Sequence, residues 1–537
     1  MSDRPSTLAT AVVLAVILAG AWGLRTAYLS HAQAKPGFAW ADPDSYTRQA
    51  RSLVAEDGRW RWSWDVVHYE WNYRTWVLPP GYQVALSWFA RDRAAFPGNA
   101  ARFNILLSTL LCALLFWVAT RIHSRRAGLV AAAIGAVWLP QVSGAPFFFQ
   151  EQLYLPLLTL AFALAIEAWL RESRGPLFAL AGLVLGLTAL TRAMPFYFVP
   201  IAAAAFILGS SNRPMGWRRA LSFVAGFVVV VLPYVVWVSM AHGQLILIDN
   251  HGPIEADRFA ATRTATTPGV VDAVRLLVTE AISAPAAFAA AKWDMLRGMF
   301  QVQGGRWLQY YGDAPSARSA ELWKWTAHAG IDLLFVATTV LAPLGIALAR
   351  RTREAVFLAL WPPLLVVLSV LASYAGARYR SGLEPHLIVL AAAVLAGGWR
   401  RPSKVGLGLA LCGCLGMAAL VLPQVPRSLA ARAQYAVAPW DGTAAGATTT
   451  ATGAAGLNIL PRAGSVTFSI ALVDGSATDP VRAVVWVNRQ RAADVSIGPS
   501  PQTVTAASAR PGFAYVEIEP LTPQGQPPPR YSVTLPR

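Results

Sequence analysis

Long apolar runs separated by short basic turns dominate the first four hundred residues, and the pattern is that of membrane spans. Thr7 through Leu29 is the first run and carries no small-residue cleavage site just beyond it, so it is expected to stay as an uncleaved span. Further runs cover residues 102 to 120, 127 to 143, 152 to 170, 176 to 190, 195 to 209, 220 to 241, 327 to 349, 355 to 374, 383 to 398 and 405 to 422. A bilayer core needs roughly 20 helical residues, so the chain is expected to be a polytopic α-helical membrane protein of about 11 spans. Residues 81 to 90 are apolar but too short to cross and are expected to form a surface or re-entrant helix.

Between the first two spans lies a polar, tryptophan-rich segment that opens on Ala41-Asp42-Pro43-Asp44-Ser45-Tyr46. Asp before Pro is a helix-start signal, Gly58 is a stop signal, and Tyr46, Ala50, Leu53 and Val54 share one face, which predicts a short amphipathic helix at the membrane surface. The second long connection, 242 to 326, holds a helical pattern from Val271 to Phe300 and has the character of a cover over a membrane-level site. After the last span, residues 426 to 456 become rich in Gly, Ala and Thr and are expected to form a linker. Alternating runs from 457 to 537 then predict a small β-sandwich. Residues 1 to 425 are accordingly expected to be one transmembrane domain with two large loops, 30 to 101 and 242 to 326.

Composition narrows the class. Of 537 residues 55% are hydrophobic and 14% charged, which excludes an ordinary soluble protein. The net charge of +17 does not point to nucleic acid, because the arginines are spread over many short turns rather than one face. The three cysteines lie inside apolar runs, so neither a disulfide framework nor a zinc site is expected. Every second connection is basic, at Arg121, Arg125 and Arg126, at Arg171 and Arg174, at Arg213, Arg218 and Arg219, at Arg350, Arg351 and Arg353, and at Arg400, Arg401 and Lys404. One scheme with the amino terminus in the cytoplasm accounts for all five, and places the two long loops and the β-domain outside.

The external connections carry the candidate chemistry. Asp42 reads either as a helix cap or as a general base that takes the proton of an acceptor hydroxyl. With Asp44 it forms an i, i+2 carboxylate pair that either serves the helix dipole or holds a divalent cation, Mg or Mn. Glu151, after three phenylalanines, is either the favourable charge of a helix start or a second acid beside Asp42. Arg378-Tyr379-Arg380 breaks the charge alternation, as does Arg192. These cations bind a lipid phosphate, or snorkel to headgroups or pair with Glu384. The aromatics of the first loop, with Tyr46, Trp64 and Tyr82 as sugar-side or acceptor-side candidates, either anchor at the lipid surface or stack on a sugar.

The order of these motifs resembles a known superfamily. Asp42, Tyr46 and Ala50 to Leu53, then Pro79-Pro80-Gly81-Tyr82, then Glu151, then Arg378-Tyr379-Arg380-Ser381-Gly382-Leu383-Glu384-Pro385 look like the GT-C glycosyltransferases. The similarity is to the bacterial relatives of protein O-mannosyltransferases and aminoarabinose transferases. It covers residues 1 to about 400 and leaves out the β-domain. What it implies is a multi-pass enzyme of the bacterial inner membrane with its site at the periplasmic face, which takes a sugar from a polyprenyl-phosphate donor. The acceptor implied is an envelope glycan, a lipid or a protein. Asp42 is then the base, Glu151 the second acid, and Arg378 and Arg380 lie near the lipid phosphate. Two departures stand out: Pro43 occupies a position where many relatives have Glu, and the Trp-Trp-Asp motif of oligosaccharyltransferases is absent. The rival expectations are a flippase for a lipid-linked glycan and a non-enzymatic assembly protein that works through its β-domain.

Overall fold

The computed structural model of the chain describes residues 7–34, 46–55, 57–63, 66–71, 74–92, 95–144, 148–172, 175–243, 245–249, 270–300, 322–371, 379–399, 401–425, 448–452, 455–459, 465–473, 480–487, 490–507, 514–520 and 530–534. In chain order the helices begin with α1 (Thr7–Gln33) and α2 (Tyr46–Ser52), followed by a hairpin of β1 (His68–Trp71) and β2 (Arg74–Val77) and then by α3 (Gly81–Ser87). The bundle continues with α4 (Phe96–Ile122), α5 (Arg125–Val137), α6 (Leu139–Ser143), α7 (Glu151–Leu170) and α8 (Pro176–Ala189). A 3₁₀ turn (Met194–Phe198) then leads into α9 (Val199–Leu208) and α10 (Arg213–His242). The second long loop contributes α11 (Val270–Ser283) and α12 (Pro285–Met299). The bundle closes with α13 (Leu322–Leu348), α14 (Thr352–Ala359), α15 (Trp361–Leu371), a 3₁₀ turn (Tyr379–Leu383), α16 (Glu384–Leu395) and α17 (Lys404–Val421).

Among the described residues, six helical stretches are long and apolar enough to cross a bilayer: Thr7–Gln33, Phe96–Ile122, Glu151–Leu170, Arg213–His242, Thr352–Leu371 and Lys404–Val421. Pro176–Ala189, Met194–Leu208 and Asp332–Leu348 are apolar but shorter. The expected number of about 11 full spans is therefore not reached by length, and prolines explain part of the shortfall. The run from 127 to 143 is divided at Trp138, because Pro140 has no N–H to give to the Ala136 carbonyl. Pro200 likewise has no N–H to give to the Phe196 carbonyl, and the run from 195 to 209 starts as a 3₁₀ turn.

At the bundle's centre, α7 is buried on nearly every side, with Leu155, Leu158, Phe162 and Ile166 in the core. Where α8 crosses α10 the backbones touch, so that a Cβ on Gly182 or Gly226 would overlap a carbonyl of the facing helix. The basic connections meet at one end of the bundle. There Arg121 pairs with Glu167 at 2.6 Å and Arg353 lies over Trp169, while Arg350 donates to the Gly398 carbonyl. Ser124, Asn212 and Ser403 cap the helices that start at this end. Glu151, the Arg192 turn and the 379–384 turn lie at the opposite end.

The first loop forms its own small core. Tyr46, Ala50 and Leu53 are buried as the amphipathic pattern requires, although the described helix begins at Tyr46, and Gly58 turns with φ at 75°. The carboxy-terminal region is a sandwich of two four-stranded antiparallel sheets, β3-β10-β5-β8 and β4-β9-β6-β7. Its strands are β3 (Thr448–Thr452), β4 (Ala455–Ile459), β5 (Ser465–Leu472), β6 (Val481–Val487), β7 (Gln490–Ile497), β8 (Gln502–Ala507), β9 (Ala514–Pro520) and β10 (Arg530–Thr534). Strand β3 and the start of β4 occupy residues expected to be linker. Both are edge strands; β3 is built from Thr and Ala, and β4 opens on Ala455-Gly456, so neither stretch shows an apolar alternation to read. Val485 and Val487 face the sandwich core. Val484 faces the other way and is buried in the cluster of Tyr46, Tyr82, Leu86, Phe96 and Phe148, so the sandwich is seated on the first loop.

Candidate active site

Two buried ion pairs share one end of the bundle. Glu151 opens α7, where a carboxylate suits the exposed N–H groups of the first turn. Its Oε1 accepts from Arg192 Nη1 at 2.8 Å, and both side chains are about 7% exposed. The Arg192 guanidinium also lies over the rings of Tyr154, at 5.5 Å, and Tyr379, at 5.0 Å. Arg192 is aimed by the turn that ends α8, where Thr191 and Arg192 donate backbone N–H groups to the Thr188 carbonyl.

The Pro79-Pro80-Gly81-Tyr82 motif ties the first loop to that same turn. Gly81 N–H donates to the Leu190 carbonyl at 2.7 Å, and a Cβ at position 81 would lie 2.6 Å from Thr191 Oγ1 and 2.9 Å from the Leu190 carbonyl oxygen. Glycine stands there because the backbones meet. Gly81→Ala is therefore expected to push the loop off the Arg192 turn and to cost about 1–3 kcal/mol. A lowered unfolding temperature of the detergent-solubilised protein is the readout, and an unchanged temperature would count against the contact.

The second pair is Arg380, inside the 3₁₀ turn, with Glu384, the first residue of α16, 3.4 Å apart. Trp138 Nε1, from the break between α5 and α6, donates to Glu384 Oε2 at 2.6 Å. Arg380 Nη1 donates to the Met299 carbonyl at 3.2 Å and the guanidinium lies 3.9 Å from the Phe335 ring centre, with Asp332 near enough to act on it electrostatically. Tyr154 joins the two pairs. A Cβ on Gly382 would sit 3.0 Å from Tyr154 Oη, and this buried hydroxyl has no hydrogen-bond partner among the described residues. The arrangement thus sets two guanidinium groups, two carboxylates and an unused phenol in an aromatic shell, a setting suited to an anion that carries hydrogen-bond acceptors.

Asp42, Asp44, Trp64 and Arg378 lie outside the described residues. Glu151 and Arg192, expected in the separate roles of second acid and phosphate ligand, stand together as a pair, and Arg380 stands with Glu384. Tyr46 and Tyr82, expected on the sugar or acceptor side, are instead turned inward. Their rings meet edge to face at 5.3 Å, both are at most 1% exposed, and Tyr82 Oη donates to Asn104 Oδ1 at 3.1 Å. The reason is amphipathicity: with Leu86, these are the large side chains that α2 and α3 have with which to build a core. Tyr154 and Trp138 were not legible as site residues. Tyr154 lies one turn after Glu151 and Trp138 sits just before Leu139-Pro140, which are signals too common to single out. Among the described residues no group of three or more His, Cys, Asp or Glu side chains is placed to hold a metal ion.

Residues 92–237, which include Glu151, Tyr154 and Arg192, match the protein family described as "Dolichyl-phosphate-mannose-protein mannosyltransferase". No curated protein matches the chain. Among solved structures it is similar to the archaeal oligosaccharyltransferase AglB from Archaeoglobus fulgidus, in complex with an inhibitory peptide and a dolichol-phosphate. The identity is 14% and the TM-score 0.43, over 79% of this chain and 56% of that one. It is also similar to ArnT from Cupriavidus metallidurans bound to undecaprenyl phosphate, with 14% identity and a TM-score of 0.42 over 79% of this chain and 66% of that one. The chain thus spans a little over half the length of the first of these proteins and two thirds of the second. Similarity at this level assigns no activity.

Proposed function

We propose that the chain, whose residues 92–237 match a mannosyltransferase family, is a GT-C glycosyltransferase that moves a sugar from a polyprenyl-phosphate donor to an extracytoplasmic acceptor. The acceptor proposed is an envelope glycan, lipid or protein. The membrane proposed is the bacterial inner membrane, with the site and the β-sandwich on the periplasmic side. The observation that carries the reading is the cluster of Glu151, Arg192, Tyr154, Arg380 and Glu384 at the bundle end opposite the basic turns. Cations buried in an aromatic shell suit a phosphate presented from within the lipid, and bulk water does not screen them there.

In the proposed step the acceptor oxygen attacks the anomeric carbon and forms the new glycosidic bond. The bond from that carbon to the phosphate oxygen breaks, and its electron pair leaves on the lipid phosphate. Asp42 takes the acceptor's proton, while Arg192, Arg380 and Arg378 balance the charge that develops on the departing phosphate. If a divalent cation takes part, Asp42 and Asp44 are the carboxylates to hold it, and it would add to that charge balance. The test is purified protein with a polyprenyl-phosphate sugar. Asp42→Asn is expected to express normally and to lose transfer by about 10²–10⁴-fold. Full activity in that variant would remove Asp42 from the chemistry.

A further inference from the structure

Helix α11 has the wrong surface for a helix surrounded by water. Val274, Val278 and Ile282 follow one another at four-residue spacing, and are 55%, 51% and 76% exposed. Arg275, Thr279 and Ser283 run beside them as a polar stripe. Pro285 ends the helix and starts α12, whose Trp293 is also exposed, at 53%.

The level of this helix pair is fixed from the bundle. Lys292 Nζ of α12 donates to the carbonyl of Leu371, the last residue of the spanning stretch Thr352–Leu371. That stretch turns Val367 and Leu371 outward, the flank a spanning helix shows to lipid chains. The apolar stripe of α11 is thus tethered beside the outer end of a lipid-facing helix, where hydrocarbon gives way to headgroups. The lysine fits that level as well, because its ammonium lies 5.2 Å from the centre of the Phe288 ring while it donates to a carbonyl.

We infer that α11 lies in the outer leaflet of the membrane, with Val274, Val278 and Ile282 inserted among the lipids and Arg275 and Thr279 at the headgroups. The occupant of the stripe is the lipid surface, since α11 is joined through Ala284 to α12, which is bonded at the level where the outward-turned Val367 and Leu371 end the spanning stretch. The inference stands apart from any reaction. It does bear on the site, because α12 ends at Met299, whose carbonyl holds Arg380. The helix pair therefore connects the lipid surface to that guanidinium.

Spin labels decide the matter on the full-length chain. In a Cys412→Ser/Cys414→Ser background, Ile282→Cys, Val278→Cys and Thr279→Cys are labelled one at a time in lipid nanodiscs. Collisions with oxygen, which concentrates in hydrocarbon, are compared with collisions with a water-soluble nickel chelate. The expected result is a shift towards oxygen at 282 and 278 and towards nickel at 279. Nickel access at all three positions would overturn the inference, because the helix would then stand in water. Immobile labels shielded from both reagents at 282 and 278 would also overturn it, since a second protein surface would then cover the stripe.

Discussion

Replacement of Arg25 by leucine is expected to lower the unfolding temperature of the protein by removing the donors that hold α1 against the break between α5 and α6. Arg25 is fully buried in α1 and has only uncharged partners among the contacts in the structure. Its Nη1 donates to the carbonyls of Ala21 and Ala136 and its Nη2 to that of Gly135, all three at 3.0 Å, and its Nε to Ser108 Oγ at 2.7 Å. The Ala136 carbonyl needs this donor because its helical partner would be Pro140, and the Gly135 carbonyl otherwise keeps only a long contact from Trp138 N at 3.4 Å. Leucine would leave both oxygens facing apolar surroundings, at roughly 1–3 kcal/mol each. Relief from burying the cation offsets part of that, so the net loss is expected to be on the order of 2–4 kcal/mol. Lysine has one donor point rather than a planar fork and is expected to fall between the two. Thermal unfolding of the purified variants is the check, and an unchanged midpoint for Arg25→Leu would mean that the carbonyls find other donors.

The same arginine marks the limit of what the chain reveals before it is folded. Apolar runs announced most of the helices, since a lipid-facing or buried helix needs little besides length and hydrophobicity. One arginine in the run from Thr7 to Leu29 does not alter that signal. Its purpose depends on Pro140, more than a hundred residues away, whose missing N–H only becomes a problem once α1 packs against α5. Gly81 was legible as part of a motif but not as the contact point with Leu190, for the same reason. Sandwich core strands such as β5 and β6 alternate and were readable, while edge strand β3, a run of threonine and alanine, was not. Of the candidate site, Glu151, Arg192 and Arg380 stood out because charge beside a membrane span is costly and needs a cause. Pairing of Arg380 with Glu384 was among the readings their i, i+4 spacing offered, but that Glu151 meets Arg192, and that Tyr154 lies between the pairs, are properties of packing, which no local pattern encodes.

Glu151→Gln and Arg192→Gln, alone and together, are expected to separate what the pair does for the fold from what it does for the reaction. Each single change leaves an uncompensated charge in a site about 7% exposed, and loss of one partner from such a pair costs about 3–5 kcal/mol. The double variant removes both charges, but glutamine is shorter than arginine and leaves a gap at 192, so only part of that stability should return. Transfer should not return with it. If Arg192 steadies the departing phosphate and Glu151 acts as the second acid, neutral amides replace neither, and the double variant should stay at least about 10²-fold below the parent. Unfolding temperature and transfer rate measured on all four proteins give the answer. Recovery of both in the double variant would confine the pair to a structural role, and the transferase proposal would then have to rest on Asp42 and Arg380. Singles as stable as the parent would mean instead that water reaches the pair, and that its charges are not held in the dry setting from which the phosphate site is argued.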